Sequence, residues 1–199
     1  MIGWREDLGW RNTCRENLPP PQYVINMAQK KTSMFTLSER ITLTSTGETA
    51  ATIDLGSYVD VGDRQALQVH SVDFIFQGDT PQTAVTGSMG AAGAIMVQVT
   101  DLNRGTLAYS NDRALVASGI LCYEPAGYLE QSADLYPDNY GKGSDDGRFV
   151  VNDALYLVAK TTSLTGNSVN VTVRVNASIV TLSNKDFMAI AIQSTAADN

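Results

Sequence analysis

Val169-Asn-Val-Thr-Val-Arg-Val175 sets an apolar side chain at every second position. A β-strand points successive side chains to opposite faces, so only a strand puts all four valines on one surface. Working outward, the same alternation returns through most of the chain. Phe35, Leu37, Ile41 and Leu43 alternate with Thr36, Ser38, Arg40 and Thr42, with Glu39 the one residue out of phase. Ala51, Ile53 and Leu55 follow a turn at Thr46-Gly47, and Ile95, Val97 and Val99 repeat the pattern. Ala66–Phe76, Thr106–Tyr109, Ala114–Glu124, Phe149–Ala159 and Phe187–Ile192 also read as strands. Residues 125–136 read as room for a short helix. Near Asn176-Ala177 the phase of the long strand slips, because Ile179 and Val180 are both apolar, and this predicts a bulge or bend there.

All six prolines lie outside these strands, as strand hydrogen bonding requires. About eight strands divided by turn signals predict an all-β sandwich, jelly roll or barrel. No fixed repeat period emerges, which argues against a propeller or solenoid. At 199 residues the chain fits one such domain. A chain of this length buries roughly two-thirds or more of its unfolded surface and needs no disulfide or metal for a core.

Apolar residues make up 43% of the chain and charged residues 18%, below the roughly 25% of an average soluble domain. Thr, Ser, Asn and Gln take the polar positions, and such neutral groups lose less than ions do when a second subunit desolvates them. The formal charge of −7 is unevenly spread. Residues 1–31 carry five basic and three acidic side chains, a balance of +2, which leaves −9 on the remainder. That body offers no Lys/Arg cluster for phosphate binding.

Residues 1–31 read as an arm set apart from residues 32–199. The arm holds Trp4 and Trp10 among charged residues, then the stiff run Pro19, Pro20 and Pro21. The two tryptophans and three prolines are the expected interface residues, burying against a neighbouring subunit or against their own domain.

Chemistry leaves few marks. His70 is the sole histidine, flanked by strand residues, and reads as a core or sheet-face residue before a catalytic base. Cys14 and Cys122 are the two cysteines and read either as separate thiols or as a distant pair. The sequons at Asn170 and Asn176 read as polar strand positions. Asp138, Asp145 and Asp146, with Asp134 nearby, form the densest set of oxygen ligands, and calcium is the cation such a loop would take. Their spacing departs from an EF-hand, and solvated loop acids are the competing reading. No phosphate cradle or dinucleotide fingerprint occurs, so no enzyme activity and no cofactor are expected. No segment reads as a signal peptide or a transmembrane helix.

The order of elements, a polar arm and then Phe35–Leu43, Ala66–Phe76, Ile95–Val99, Ala114–Tyr123, Phe149–Lys160, Val169–Leu182 and Phe187–Ile192, resembles the single jelly-roll capsid proteins of small icosahedral, tailless viruses. The turn within Leu157–Val169 and a hairpin at Thr42–Ala50 are similar to such proteins. The resemblance covers residues 32–199. It implies an antiparallel eight-stranded jelly-roll sandwich with an extended N-terminal arm, and a structural subunit in the virion that self-assembles with copies of itself. Many such proteins carry a strongly basic arm; here it is only +2, which suits a shell over an internal membrane or beside other capsid proteins better than direct genome binding. Two alternatives come from the residues alone. One is a carbohydrate- or receptor-binding sandwich of spike or adhesin type, using Tyr123, Tyr128, Tyr136 and Tyr140. The other is a hydrolase with a carboxylate pair such as Asp138 and Asp145.

Overall fold

The alternating valines form the middle of the longest strand. The computed structural model describes residues 29–124, 128–132 and 147–195. Within them lie ten strands: β1 (Gln29–Lys30), β2 (Phe35–Leu43), β3 (Glu48–Asp54), β4 (Gln65–Gln77), β5 (Gly93–Thr100), β6 (Leu115–Glu124), β7 (Tyr128–Ser132), β8 (Arg148–Val150), β9 (Ala154–Thr161) and β10 (Val169–Thr181). A helix, α1 (Asn184–Thr195), follows β10. Val169, Val171, Val173 and Val175 are fully buried, while Arg174 is exposed and Asn170, Thr172 and Asn176 half-buried.

The strands make two five-stranded antiparallel sheets. In the first, β10 lies between β4 and an edge shared by β2 and β1, and β8 completes the order β2-β10-β4-β8. The second runs β3-β9-β5-β6-β7. Between them sits one apolar core contributed by both sheets, including Leu43, Leu67 and Val173 from the first and Ile95, Leu155 and Leu157 from the second.

Most links cross from one sheet to the other, and this corrects two expectations. β2 pairs with β10 and β3 with β9, so Thr42–Ala50 is a corner between sheets and not a hairpin. β9 and β10 likewise sit in different sheets, joined by the loop 162–168. The expected strand Phe149–Ala159 is divided into β8 and β9, one in each sheet. The break falls at Asn152-Asp153, where the Asn152 amide donates to the Asp101 carbonyl and the Asp153 carbonyl accepts from Leu55 N–H; short polar residues of this kind favour turns. β7 pairs with β6 over Tyr128–Ser132, which replaces the short helix expected between residues 125 and 136.

The bulge lies at the predicted register position but on the other strand. Pairing between β10 and β4 shifts between Asn176 and Ala177: Asn176 faces Ser71, Ala177 faces Val69, and His70 is the extra residue on β4. β10 keeps its phase, with Ala177 and Ile179 continuing inward to the core. Val180 is apolar for a different reason, because the outer face there is covered by α1. Phe187, Ile190 and Ala191 of the helix pack on Ala66, Val151, Val180 and Leu182 in a second small cluster.

α1 also overturns the expected last strand at Phe187–Ile192. Its N-terminus is closed by a reciprocal cap: Ser183 Oγ accepts from Asp186 N–H at 3.2 Å and donates to Asp186 Oδ2 at 2.6 Å. That Ser-Asn-Lys-Asp pattern is a helix-start signal readable in the sequence, and local capping prevails over a short apolar run that suits either state. Ser183→Ala is expected to cost about 0.5–2 kcal/mol and to act locally. Amide exchange in α1 should quicken while that of β5 and β9 stays unchanged; unaltered exchange in α1 would contradict the cap.

Candidate assembly surface

The outer face of the first sheet beyond α1 carries neutral cross-strand contacts beside the charged residues Arg40, Arg174 and Asp73. Thr42 Oγ1 donates to Asn170 Oδ1 at 2.7 Å, and Asn170 Nδ2 donates to the Gly78 carbonyl at 2.8 Å. Six residues on, Thr36 Oγ1 donates to Asn176 Oδ1 at 2.7 Å and Asn176 Nδ2 to Ser71 Oγ at 2.9 Å. Both sequon asparagines are therefore strand positions that tie β2, β10 and β4 together.

The two ends of the sandwich differ. At one end, the loops 78–92 and 162–168 are tied by Ala91 N–H to Ser163 Oγ at 3.1 Å and Thr165 N–H to the Ser88 carbonyl at 3.0 Å. No large apolar side chain of these two loops is exposed. At the opposite end lie the loops 55–64, 101–114 and 151–153, together with the point where β1 enters and β10 leads into α1. Met34, Tyr58, Val61, Met188 and Ile192 are exposed around this end, and Ile75 and Tyr109 lie elsewhere among the exposed large apolar side chains described. The Tyr58 ring stacks on Phe35 with centroids 5.5 Å apart, which holds it in place.

Two ion pairs brace the same end. Arg104 grips Asp112 at 2.9 Å through Nε and again through Nη2. Arg148 Nη2 reaches Asp101 Oδ2 at 3.2 Å and also donates to the Arg113 carbonyl. Burial pushes the Asp101 carboxyl above its ordinary 3.8, against the pull of Arg148. Burial works on Asp112 too, but hydrogen bonds from Arg104 and the Ala114 N–H, with the Arg104 charge, hold it below 3.8.

The described residues bring no catalytic group together. His70, half-buried on β4, has Nε2 2.9 Å from Ser178 Oγ, which in turn lies 3.4 Å from Gln68 Oε1. This is the sheet-face role expected of it. Cys122 on β6 is a half-buried free thiol. No group of three or more His, Cys, Asp or Glu among the described residues is placed to hold a metal. Asp138, Asp145 and Asp146, the calcium candidates, lie outside the described residues, as do Cys14, Trp4, Trp10, Pro19, Pro20 and Pro21. The apolar end and its ion pairs were not singled out from sequence. Single exposed apolar residues in separate loops carry no pattern until the fold gathers them.

No family model matches the sequence, and no curated protein matches it. A solved chain from Desmodium yellow mottle tymovirus is 17% identical, covers 86% of this chain and 98% of its own length, and superposes with a TM-score of 0.30. A chain of a Nora virus structure is 14% identical over 74% of this chain, which spans 57% of that one, with a TM-score of 0.29. Superpositions this loose assign neither a fold family nor a function.

Proposed function

We propose that the chain is a non-enzymatic structural subunit of a viral shell, a jelly roll that assembles with copies of itself in the virion. The strand orders β2-β10-β4-β8 and β3-β9-β5-β6 support the jelly-roll reading, since they interleave early and late strands of the chain in both sheets. A fold alone hosts many functions. The observation that carries the proposal is the crowding of exposed apolar side chains at the end where the N-terminal segment and α1 leave the sheets. Met188 and Ile192, 58% and 59% exposed, form a second stripe on α1, one turn apart and off the face that packs on the sheet.

Burying such side chains between subunits contributes about 25 cal/mol per Å², offset by the association costs of ordering two molecules. Neutral asparagines and threonines on the first sheet and the lack of a basic cluster suit contact with protein or with an internal membrane more than with packaged nucleic acid. Light scattering and negative-stain microscopy of the full chain should show closed particles or large oligomers. Met188→Lys with Ile192→Lys should reduce assembly sharply while the far-UV spectrum is kept. A chain that stays monomeric at high concentration across salt and pH would sink the proposal.

A further inference from the structure

Backbone groups that lack a strand partner are met in two ways in this fold. At 106–109, expected from sequence as a strand, the Gln98 side chain takes the partner's place. Its Nε2 donates to the Ala108 carbonyl at 2.8 Å and its Oε1 accepts from the Ala108 N–H at 2.7 Å. The free side of β2 has no such cover. β2 pairs with β10 along all nine of its residues, and no described strand pairs with its other side. About half of its backbone N–H and C=O groups, those of alternate residues, therefore point away from the sheet.

An open edge is a template for another strand, and natural sheets blunt it with short strands or inward-pointing charges. β8, the opposite edge of the same sheet, is only three residues long. β3, at an edge of the second sheet, carries exposed Glu48 and Asp54 at its two ends. β2 is longer than either, and one of its residues is not explained by the core. Glu39 shares the phase of Leu37 and Ile41, which are buried, and so faces the core side of the sheet. It opposes Val173 on β10 and is half-buried. Among the described residues no ion pair holds its carboxylate. Arg40 and Arg174 belong to the outer face. The open edge gives that carboxylate its water, and a strand laid along β2 would take the water away.

The place of Glu39 in the strand decides which partner it repels. It is the fifth of the nine residues, the midpoint of β2. Two copies meeting at this edge on a two-fold axis would pair antiparallel, each residue opposite its counterpart across the midpoint. Phe35 would then oppose Leu43 and Leu37 would oppose Ile41, apolar partners with both cores on one side. Glu39 would oppose itself, with Cβ atoms about 4.5–5.5 Å apart. Like charges directly opposite one another disfavour pairing, and both carboxylates would also be desolvated without a counter-ion.

We propose that Glu39 is a charge lock on the β2 edge, holding it closed to β2 of a second copy. Neutralising that one position opens the edge to a two-fold dimer in which the first sheets of two subunits run on as one. The inference goes beyond the assembly reading and does not rest on it, since a lone subunit needs the same lock. Contacts between copies are thereby confined to other surfaces.

The test uses the full-length chain carrying Met188→Lys and Ile192→Lys as parent, so that contacts through α1 do not obscure a dimer. In the parent, the outward N–H groups of β2 should exchange rapidly, and sedimentation equilibrium sets its baseline of association. Glu39→Val should tighten self-association by at least about tenfold, because two desolvated carboxylates are removed at once. Its β2 amides should become protected while those of β3 stay unchanged. Glu39→Gln keeps the shape and removes the charge. It should shift the equilibrium the same way, and it serves if far-UV circular dichroism shows that Glu39→Val does not fold. Glu39→Lys restores like charges across the axis and should associate no better than the parent. Folded Glu39→Val and Glu39→Gln that associate no better than the parent overturn the proposal. So does a dimer whose β2 amides exchange freely, or a Glu39→Lys chain that dimerises as well as Glu39→Val. Slow exchange along the β2 edge of the parent overturns it too, because the edge would then already be covered. Closed particles from the unaltered chain, or a persistent monomer, bear on the assembly reading and not on this one.

Discussion

Arg148→Met is expected to lower the unfolding free energy by about 3–5 kcal/mol near neutral pH, the usual cost of removing one partner of a buried ion pair. Arg148 and Asp101 join β8 to the loop that follows β5, across the end of the sandwich. Asp101 is 4% exposed, Arg148 meets its Oδ2, and its Oδ1 has no hydrogen-bond partner among the described residues. Taking away the guanidinium leaves a carboxylate in a desolvated place, and it also removes the donor to the Arg113 carbonyl. Urea denaturation of the two proteins measures the difference.

The pH dependence separates this charge effect from lost packing. The folded-state pKa of Asp101 is raised above 3.8 by burial. In the window between 3.8 and the folded value, the native state therefore binds more protons than the unfolded chain. The contribution of this group to stability is fully present at the acid side of that window and is lost as pH rises through the folded pKa. Without Arg148 the attraction that opposes burial is gone, so the window extends upward. The deficit of Arg148→Met should then shrink as pH falls toward the raised folded-state pKa of Asp101, because the carboxyl becomes neutral. Asp101→Asn in the Arg148→Met background should recover much of the loss at neutral pH. A deficit that stays constant over that range, and is not relieved by the second substitution, would show that Arg148 acts through packing alone. Asp112 works in the opposite sense: its pKa is held below 3.8, so its stabilisation is present above 3.8 and lost only in stronger acid.

How much of this was legible in the sequence depends on whether a residue answers to its own strand or to the opposite sheet. Val169 to Val175 answer to their own strand, and the period of two placed their faces correctly. The bulge did not, because the extra residue is His70 on β4, and a slip in pairing leaves no mark on the partner strand. Val180 and Phe187 looked like strand residues because an apolar side chain in a sheet and one under a helix obey the same composition. The Ser183–Asp186 cap was the local signal that distinguished them. The division of Phe149–Ala159 was hidden for a similar reason. Both halves are apolar, and only the contacts of Asn152 and Asp153 with other loops show where one sheet ends. At the candidate surface the gap is wider. Met34, Tyr58 and Met188 lie in three separate segments of the chain, and topology alone brings them to one end.

Gly119 is the sharpest case of a residue that answers to the facing sheet. It sits inside β6, where glycine weakens a strand, and nothing near it in sequence accounts for the choice. A Cβ there would lie 2.7 Å from Cδ2 of Phe74 and 3.0 Å from its Cγ. Phe74 comes from β4 in the other sheet and is 6% exposed, so its ring has little space into which to retreat. Gly119→Ala should therefore destabilise by about 1–3 kcal/mol through overpacking. Phe74→Ala should cost about 3–5 kcal/mol, since it deletes a buried ring and leaves a cavity. The informative measurement is the double variant. With the ring gone, a methyl at position 119 meets open space and replaces glycine in a strand interior, a change that favours folding by roughly 0.5–1 kcal/mol. The sign of Gly119→Ala should thus reverse in the Phe74→Ala background, a coupling well beyond the roughly 0.3–0.5 kcal/mol within which independent sites add. Additive effects of the two substitutions would mean that the sheets do not meet at this pair, and the stacking of β6 against β4 would then be wrong.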